Sequence, residues 1–180
     1  MGLNVAGRTG LALFALFLPL ATAACLGPSS AEKPPLYQNL AETTSDLDEA
    51  AARDMINAYR ANNGLAAVAL DTRLTALADA YARDLAADAG RGTAITPDGK
   101  LDARLAAAGY AQAGVSESVS AGYYTLAEAF SGWRDSGPHR DTMLMASAQD
   151  MGIAAAYRPG TKYKVYWVLV MAAPDGTDAS

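Results

Sequence analysis

Apolar side chains recur every three or four residues in four stretches of this chain and every second residue in three others, with turn residues between them. Leu47, Ala51, Met55 and Tyr59 are spaced by four, Asp46 or Ser45 can cap that helix, and Asn62-Asn63-Gly64 ends it. Leu74, Leu77, Ala78, Tyr81 and Leu85 form a second stripe behind Asp71, a good N-cap, and Gly90 and Gly92 stop it. Pro97-Asp98-Gly99 reads as a turn, since proline presets φ and glycine accepts a positive φ. A short helix over 101–108 follows, closed by Gly109, and a fourth covers 124–135 with Leu126, Phe130 and Trp133 on one side. Between them the period changes to two. Val115, Glu117 and Val119 share one face of a strand, and Ser116, Ser118 and Ser120 share the other.

Two more strands, over 152–157 and 162–172, are joined by Arg158-Pro159-Gly160-Thr161, a hairpin signal. In the last strand Val165, Trp167, Leu169 and Met171 face one way and Tyr166, Val168 and Val170 the other. Both faces are apolar, so this strand is expected at the centre of a sheet with helices on each side. No internal repeat is present.

The stretch Trp133 to Met145, W-R-D-S-G-P-H-R-D-T-M-L-M, holds the chain's only histidine. Gly137-Pro138 stops the preceding helix at Ser136 and aims the next turn, because proline bars its neighbour from the α region. His139 therefore sits at a corner between two helices, where a side chain can face a cleft. Glu117, on the apolar side of its strand, is costly as an unpaired carboxylate. Either it meets a partner, or that face opens into the same cleft.

Composition narrows the function classes. The 180 residues are 51% hydrophobic and 18% charged, enough for one domain with a sizeable core plus appendages. A net charge of −5 without long acidic runs argues against nucleic acid, whose phosphates demand a basic face. One cysteine excludes an internal disulfide framework. Residues 1–25 read as a signal peptide: Arg8, an apolar run from Leu11 to Leu20 broken only by Pro19, then Ala21-Thr22-Ala23-Ala24-Cys25. That ending resembles a bacterial lipobox, although Thr22 stands where leucine is usual. The resemblance implies that Cys25 is lipid-modified and anchors the mature chain to a membrane. Cleavage at the A-x-A of Ala21 and Ala23, leaving a free thiol, is the rival. Leu26 after the cysteine, in place of aspartate, points to the outer membrane on its periplasmic side if the cell is Gram-negative. Residues 26–46, with Pro28, Pro34 and Pro35 among serines and threonines, read as a flexible tether, and 174–180 as a polar tail.

The runs N-A-Y-R-A-N-N-G-L (Asn57 to Leu65) and L-D-T-R-L-T-A-L-A-D-A-Y-A (Leu70 to Ala82) resemble the opening of bacterial CAP-domain proteins, the superfamily of cysteine-rich secretory, antigen five and pathogenesis-related proteins. A-G-Y at Ala108 to Tyr110, the Glu117 strand, W-R-D-S-G-P-H-R, M-G-I at Met151 to Ile153 and Y-W-V at Tyr166 to Val168 agree in order and spacing, over 47–173. The resemblance implies an α+β fold, an α-β-α sandwich with an antiparallel sheet between helical layers and a cleft on one side. In that family two histidines and two acids line the cleft. Glu117 falls on the glutamate of a G-E-N motif whose flanks are here Ser116 and Ser118, and His139 falls on the second histidine. The second acid falls on Asp135 or Ser136, and Ala94 or Thr93 stands where the first histidine belongs. Tyr123 and Tyr124 are placed to rim the cleft. Arg140 and Arg134 are placed to meet an anion, or, more plainly, to pair with Asp135 and Asp141.

One imidazole with Glu117 and Asp135 falls short of the three or four ligands zinc wants, so no metal or cofactor is expected. A hydrolase would use His139 with Glu117 as orienting acid and a serine or Thr142, yet no serine sits in a nucleophile-elbow pattern. The bland reading is a Glu117–His139 hydrogen bond bracing strand to corner. The function expected is therefore non-enzymatic binding of a lipid or cell-wall component by a membrane-tethered, exported protein. The hydrolase and a structural envelope protein with a vestigial cleft are the alternatives.

Overall fold

A computed structural model describes residues 1–2, 33–42, 46–91 and 95–176. The chain divides into two units, Met1–Ala31 and Glu32–Ser180, and the fold described belongs to the second. Residues 3–25 of the expected signal segment, Cys25 among them, the tether residues 26–32 and 43–45, Thr93 and Ala94, and the tail residues 177–180 lie outside the described residues.

Helix α1 (Glu49–Asn62) starts at Asp48, not Asp46 or Ser45, because the Asp48 carboxylate accepts from the Ala51 amide at 2.8 Å. A two-residue strand β1 (Ala69–Leu70) precedes α2 (Thr72–Asp88), which Asp71 caps through the Arg73 and Leu74 amides as its position suggests. Then come α3 (Leu101–Ala107), β2 (Gln112–Ala121), α4 (Leu126–Asp135), α5 (Gly137–Met143), β3 (Asp150–Tyr157) and β4 (Val165–Pro174). The fourth helix begins two residues later than its apolar period suggests. Thr125 and Glu128 form a reciprocal capping box there, which satisfies two orphan amides at once.

The sheet order is β1-β3-β4-β2. Strands β3, β4 and β2 are antiparallel, whereas β1 runs parallel to β3, so the sheet is mixed and not purely antiparallel. β4 lies at the centre, buried on both faces from Val165 to Ala173, as its doubly apolar pattern requires. One face carries Tyr166, Val168, Val170 and Ala172 against α2 and α3; the other carries Val165, Trp167, Leu169 and Met171 against α1 and α4. The result is a three-layer α-β-α sandwich with two separate cores.

The Pro-rich stretch is less free than its composition implies. Pro35–Tyr37 forms a 3-10 turn, Leu40 is buried in the second core, and the Leu40 amide donates to the Tyr124 carbonyl at 2.7 Å. Residues 33–42 thus belong to the domain, and the tether reading fails for them: two leucines and one main-chain bond are enough to pin the segment.

Arg60, on α1, is fully buried and faces no carboxylate among the described residues. Its guanidinium donates to four carbonyls: Ala66, Met143 and Met145 at 2.9 Å, and Ala148 at 3.4 Å. Three of these follow or end α5, so one side chain ties the His139 corner to the first helix. Burial pulls its pKa below the usual arginine value.

Candidate functional site

Strand β2 carries a polar cluster on each of its faces. On the first face Ser116, Ser118 and Ser120 meet the helices in sequence. Ser116 Oγ and Thr142 Oγ1 are 2.8 Å apart, Ser118 Oγ and His139 Nδ1 are 3.0 Å apart, and Trp133 Nε1 donates to Ser120 Oγ at 2.9 Å. The three bonds zip α4 and α5 onto the strand. His139 is half-buried, and burial lowers its pKa, so the imidazole is neutral near pH 7. Ser118 is only 3% exposed, so its hydroxyl is enclosed where a substrate would have to reach it.

On the opposite face Glu117 reaches Arg104 of α3, whose guanidinium donates to Glu117 Oε1 at 2.6 Å and to Asp98 Oδ1 at 2.7 Å. The Arg104 guanidinium also stacks over the Tyr81 ring, 3.9 Å from its centre. Tyr81 Oη in turn accepts from the Asp98 amide at 3.0 Å and donates to the Thr96 carbonyl at 3.4 Å. The Pro-Asp-Gly turn, α2, α3 and β2 are thereby clamped by one arginine. Burial pushes the Glu117 carboxyl up, against the pull of Arg104. Burial also opposes charge on Arg104, but its bonds to Asp98 and Glu117 outweigh that and raise its pKa. Asp98 is held below the usual carboxylate range despite some burial, by Arg104 and the Lys100 amide. Beside this cluster opens a cleft of about 620 Å³ lined by Tyr81, Asp84, Asp88, Thr96, Lys100 and Arg104, among others.

The expected contact between Glu117 and His139 is therefore absent: Glu117 leaves β2 on one face to meet Arg104 of α3, and His139 of α5 meets Ser118 on the other. The strand's own two-residue period is the reason, because His139 packs against Ser118, the next residue along. The Glu117–His139 pair that the hydrolase alternative and the bracing reading both invoke is therefore not formed. The other expected cleft residues scatter. Asp135 pairs with Arg134 at 3.0 Å and its side chain is 67% exposed. Ser136 sits at the start of α5 without a side-chain cap bond, and Arg140 donates to the Arg134 carbonyl at 3.2 Å. Tyr123 is half-buried, with its hydroxyl end against Gly132 of α4 and its carbonyl accepting from Trp167 Nε1 at 2.9 Å. It serves as packing. Among the described residues no group of three or more His, Cys, Asp or Glu is placed to hold a metal ion.

Arg104, Asp98 and Tyr81 are the site residues that sequence patterns did not single out. The signal for a partner was present, since a carboxylate on an apolar strand face demands one. Nothing in the spacing pointed to α3 as its source.

The fold and site together define an α-β-α sandwich whose edge strand carries a buried acid on one face and a serine–histidine contact on the other. Residues 53–171 match the family model of the cysteine-rich secretory protein family, CAP, and the chain belongs to that family. Solved structures with the same fold include an extracellular protein containing an SCP domain from Bacillus anthracis, at 20% identity, covering 69% of this chain and 39% of that one, with a TM-score of 0.57. A cysteine-rich secretory protein from Staphylococcus aureus is 15% identical over 73% of this chain and 40% of that one, with a TM-score of 0.56. An outer surface protein from Borrelia burgdorferi is 18% identical over 71% of this chain and 92% of that one, with a TM-score of 0.59. The chain thus spans about two fifths of the first two. No curated protein matches it. Extracellular relatives, and the absence among the described residues of a helix long and apolar enough to cross a membrane, fit an exported protein.

Proposed function

We propose that this chain is an exported lipoprotein, acylated at Cys25 on the cell envelope, whose CAP domain binds a cell-wall component without catalysing its turnover. The observation that carries this reading is the closed pairing of Glu117 and of His139. Glu117 is engaged by Arg104 and His139 by Ser118, on opposite faces of the sheet, so no base, nucleophile and orienting acid converge. The cleft beside Arg104 presents carboxylates, Lys100, Arg91 and an aromatic ring beside Leu85, Ala87 and Ile95, a mixed lining suited to the hydroxyls, amides, carboxylates and methyl groups of a peptidoglycan fragment. The Arg104 clamp holds that wall rigid in advance.

Calorimetric titration of the purified domain with soluble muropeptides, and separately with phosphatidylglycerol vesicles, tests the ligand. Muropeptide binding is expected, weakened about tenfold by Lys100→Glu, a loss of ~1.4 kcal/mol. Binding to vesicles alone, or a cleaved muropeptide in the product mixture, refutes it. The anchor is tested apart from the ligand: Cys25→Ala should move the protein from the membrane to the soluble fraction, and a variant that stays membrane-bound refutes acylation.

A further inference from the structure

On the far side of the sheet from β2, strand β3 is the second candidate for recognition. Its partner β1 covers only the first two residues, pairing Ala69 with Asp150 and Leu70 with Met151. The parallel ladder ends where the Asp71 amide donates to the Met151 carbonyl, because Asp71 then caps α2 and turns the chain away. Main-chain groups alternate in direction along a strand, so those of Ile153, Ala155 and Tyr157 point outward in turn, while Arg158 donates inward to the Lys164 carbonyl. Among the described residues these outward groups meet no hydrogen-bond partner. Unpaired strand edges are liabilities that proteins normally cover, charge or bend.

This edge is recessed instead. Asp46, Leu47 and Glu49, at the start of α1, form one wall; Thr72, Thr75, Ala76, Asp79 and Arg83 of α2 form the other. Ala154 and Ala155 make the floor, Leu70 closes the β1 end, and the slot measures about 540 Å³. The floor side chains are methyl groups, which leaves width for an incoming chain. Asp79 is engaged by Arg83 at 2.7 Å, whereas Asp46 and Glu49 make no ion pair among the described residues, so the slot carries net negative charge. Burial, with Asp79 and Asp48 nearby, raises the Glu49 carboxyl.

We propose that this slot is a peptide-docking site, in which an extended cationic segment of another protein adds as a strand to the free edge of β3 and sets a Lys or Arg against Asp46 and Glu49. The occupant follows from shape and charge. A single strand enters a slot flanked by two helices, but the sheet edge of a second copy cannot, since its own flanking helices would meet α1 and α2 first. Strand addition draws affinity from main-chain hydrogen bonds and specificity from alternate side chains, and the acids select the cation. The site is independent of the cleft beside Arg104, on the other side of β4.

The test uses the whole protein and the synthetic peptide acetyl-Lys-Val-Thr-Val-Thr-Val-Lys-amide, followed by fluorescence polarisation and by amide exchange at Ala155 and Tyr157. Two N-methylated versions block either the odd or the even amides. Binding is expected for the parent peptide, with one methylated set losing it and the other keeping it, since only one edge of the peptide pairs. Glu49→Lys, at a half-buried position, and replacement of the peptide lysines by glutamate should each weaken binding about tenfold or more, corresponding to ~1.4 kcal/mol. Ala155→Pro removes an outward donor at an edge and should abolish binding; amide exchange in the unmodified protein decides the matter if that variant fails to fold. The Ala155 and Tyr157 amides should exchange fast without peptide and slowly with it. No binding, or equal binding by both methylated peptides, overturns the proposal. So does slow exchange in the peptide-free monomer, which would mean that the chain fills its own slot, or protection that grows with protein concentration, which would mean a second copy.

Discussion

Replacing Arg104 by methionine probes the clamp behind the cleft. The substitution strands the Glu117 carboxylate, whose side chain is 4% exposed, and also removes the Asp98 bond and the stack on Tyr81. Deleting one partner of a buried ion pair costs about 3–5 kcal/mol. Arg104 itself is 20% exposed and water can partly fill its place, so we expect the low end, about 3 kcal/mol. For a domain of this size that is a fall in Tm of roughly 6–12 °C. Glu117→Met should cost less, about 2 kcal/mol, because Arg104 keeps Asp98. The double variant should cost about 3 kcal/mol and not 5, since an apolar pair replaces an ionic one of similar volume. Urea unfolding followed by the fluorescence of Trp133 and Trp167, both buried, reads all four species. The pH dependence adds a sign. With Arg104 gone, the Glu117 pKa in the folded state rises further above its unfolded value, taken as 4.5. The folded state then holds the proton more tightly, so the variant's deficit should shrink as pH falls toward 4.5 and widen as pH rises through the folded pKa. Single-variant costs that simply add, or a deficit that ignores pH, would show that Glu117 and Arg104 are not coupled.

His139 has its folded pKa lowered by burial, so the unfolded chain binds the proton first: stability present above pH 6.5 should drain away as pH falls through the folded pKa, and His139→Gln should flatten that slope in urea titrations between pH 7 and 5. A Cβ on Gly152 would run into the Leu74–Thr75 backbone, so Gly152→Ala should cost about 3 kcal/mol by forcing α2 off the sheet, seen as a lower urea midpoint. Asp48→Ala should cost about 1 kcal/mol of helix capping, while Asp46→Ala leaves the urea midpoint unmoved; the reverse order would misplace the start of α1.

What sequence patterning reveals here depends on how many residues vote. The α2 stripe and the doubly apolar β4 are long, and each residue repeats the message, so their place in the sandwich is legible in advance. β1 has two residues and therefore no period at all. Leu36 and Leu40 hide in a stretch whose prolines and hydroxyls dominate any compositional reading, yet both pack against the second core. The start of α1 fell among several acids that cap equally well in isolation, and only the helix register chooses Asp48. The site shows the same division. Strand alternation already set Glu117 and Ser118 apart, but which face α5 would cover depends on the layering of the whole fold, which no local pattern encodes. That left the histidine credited to the wrong neighbour.

Strand β4 is both the middle of the sheet and the last of the described elements in chain order. The 112–121 and 150–157 strands have no ladder between them until it arrives, and until then α2 has β3 alone of the long strands to close upon. A chain passing end-first through a narrow channel, at the ~5–20 residues per second of synthesis or at any other pace, stays threadable for almost its full length. Its topology thus leaves both cores without their central strand until β4 is in place, a delay that suits passage in an extended form.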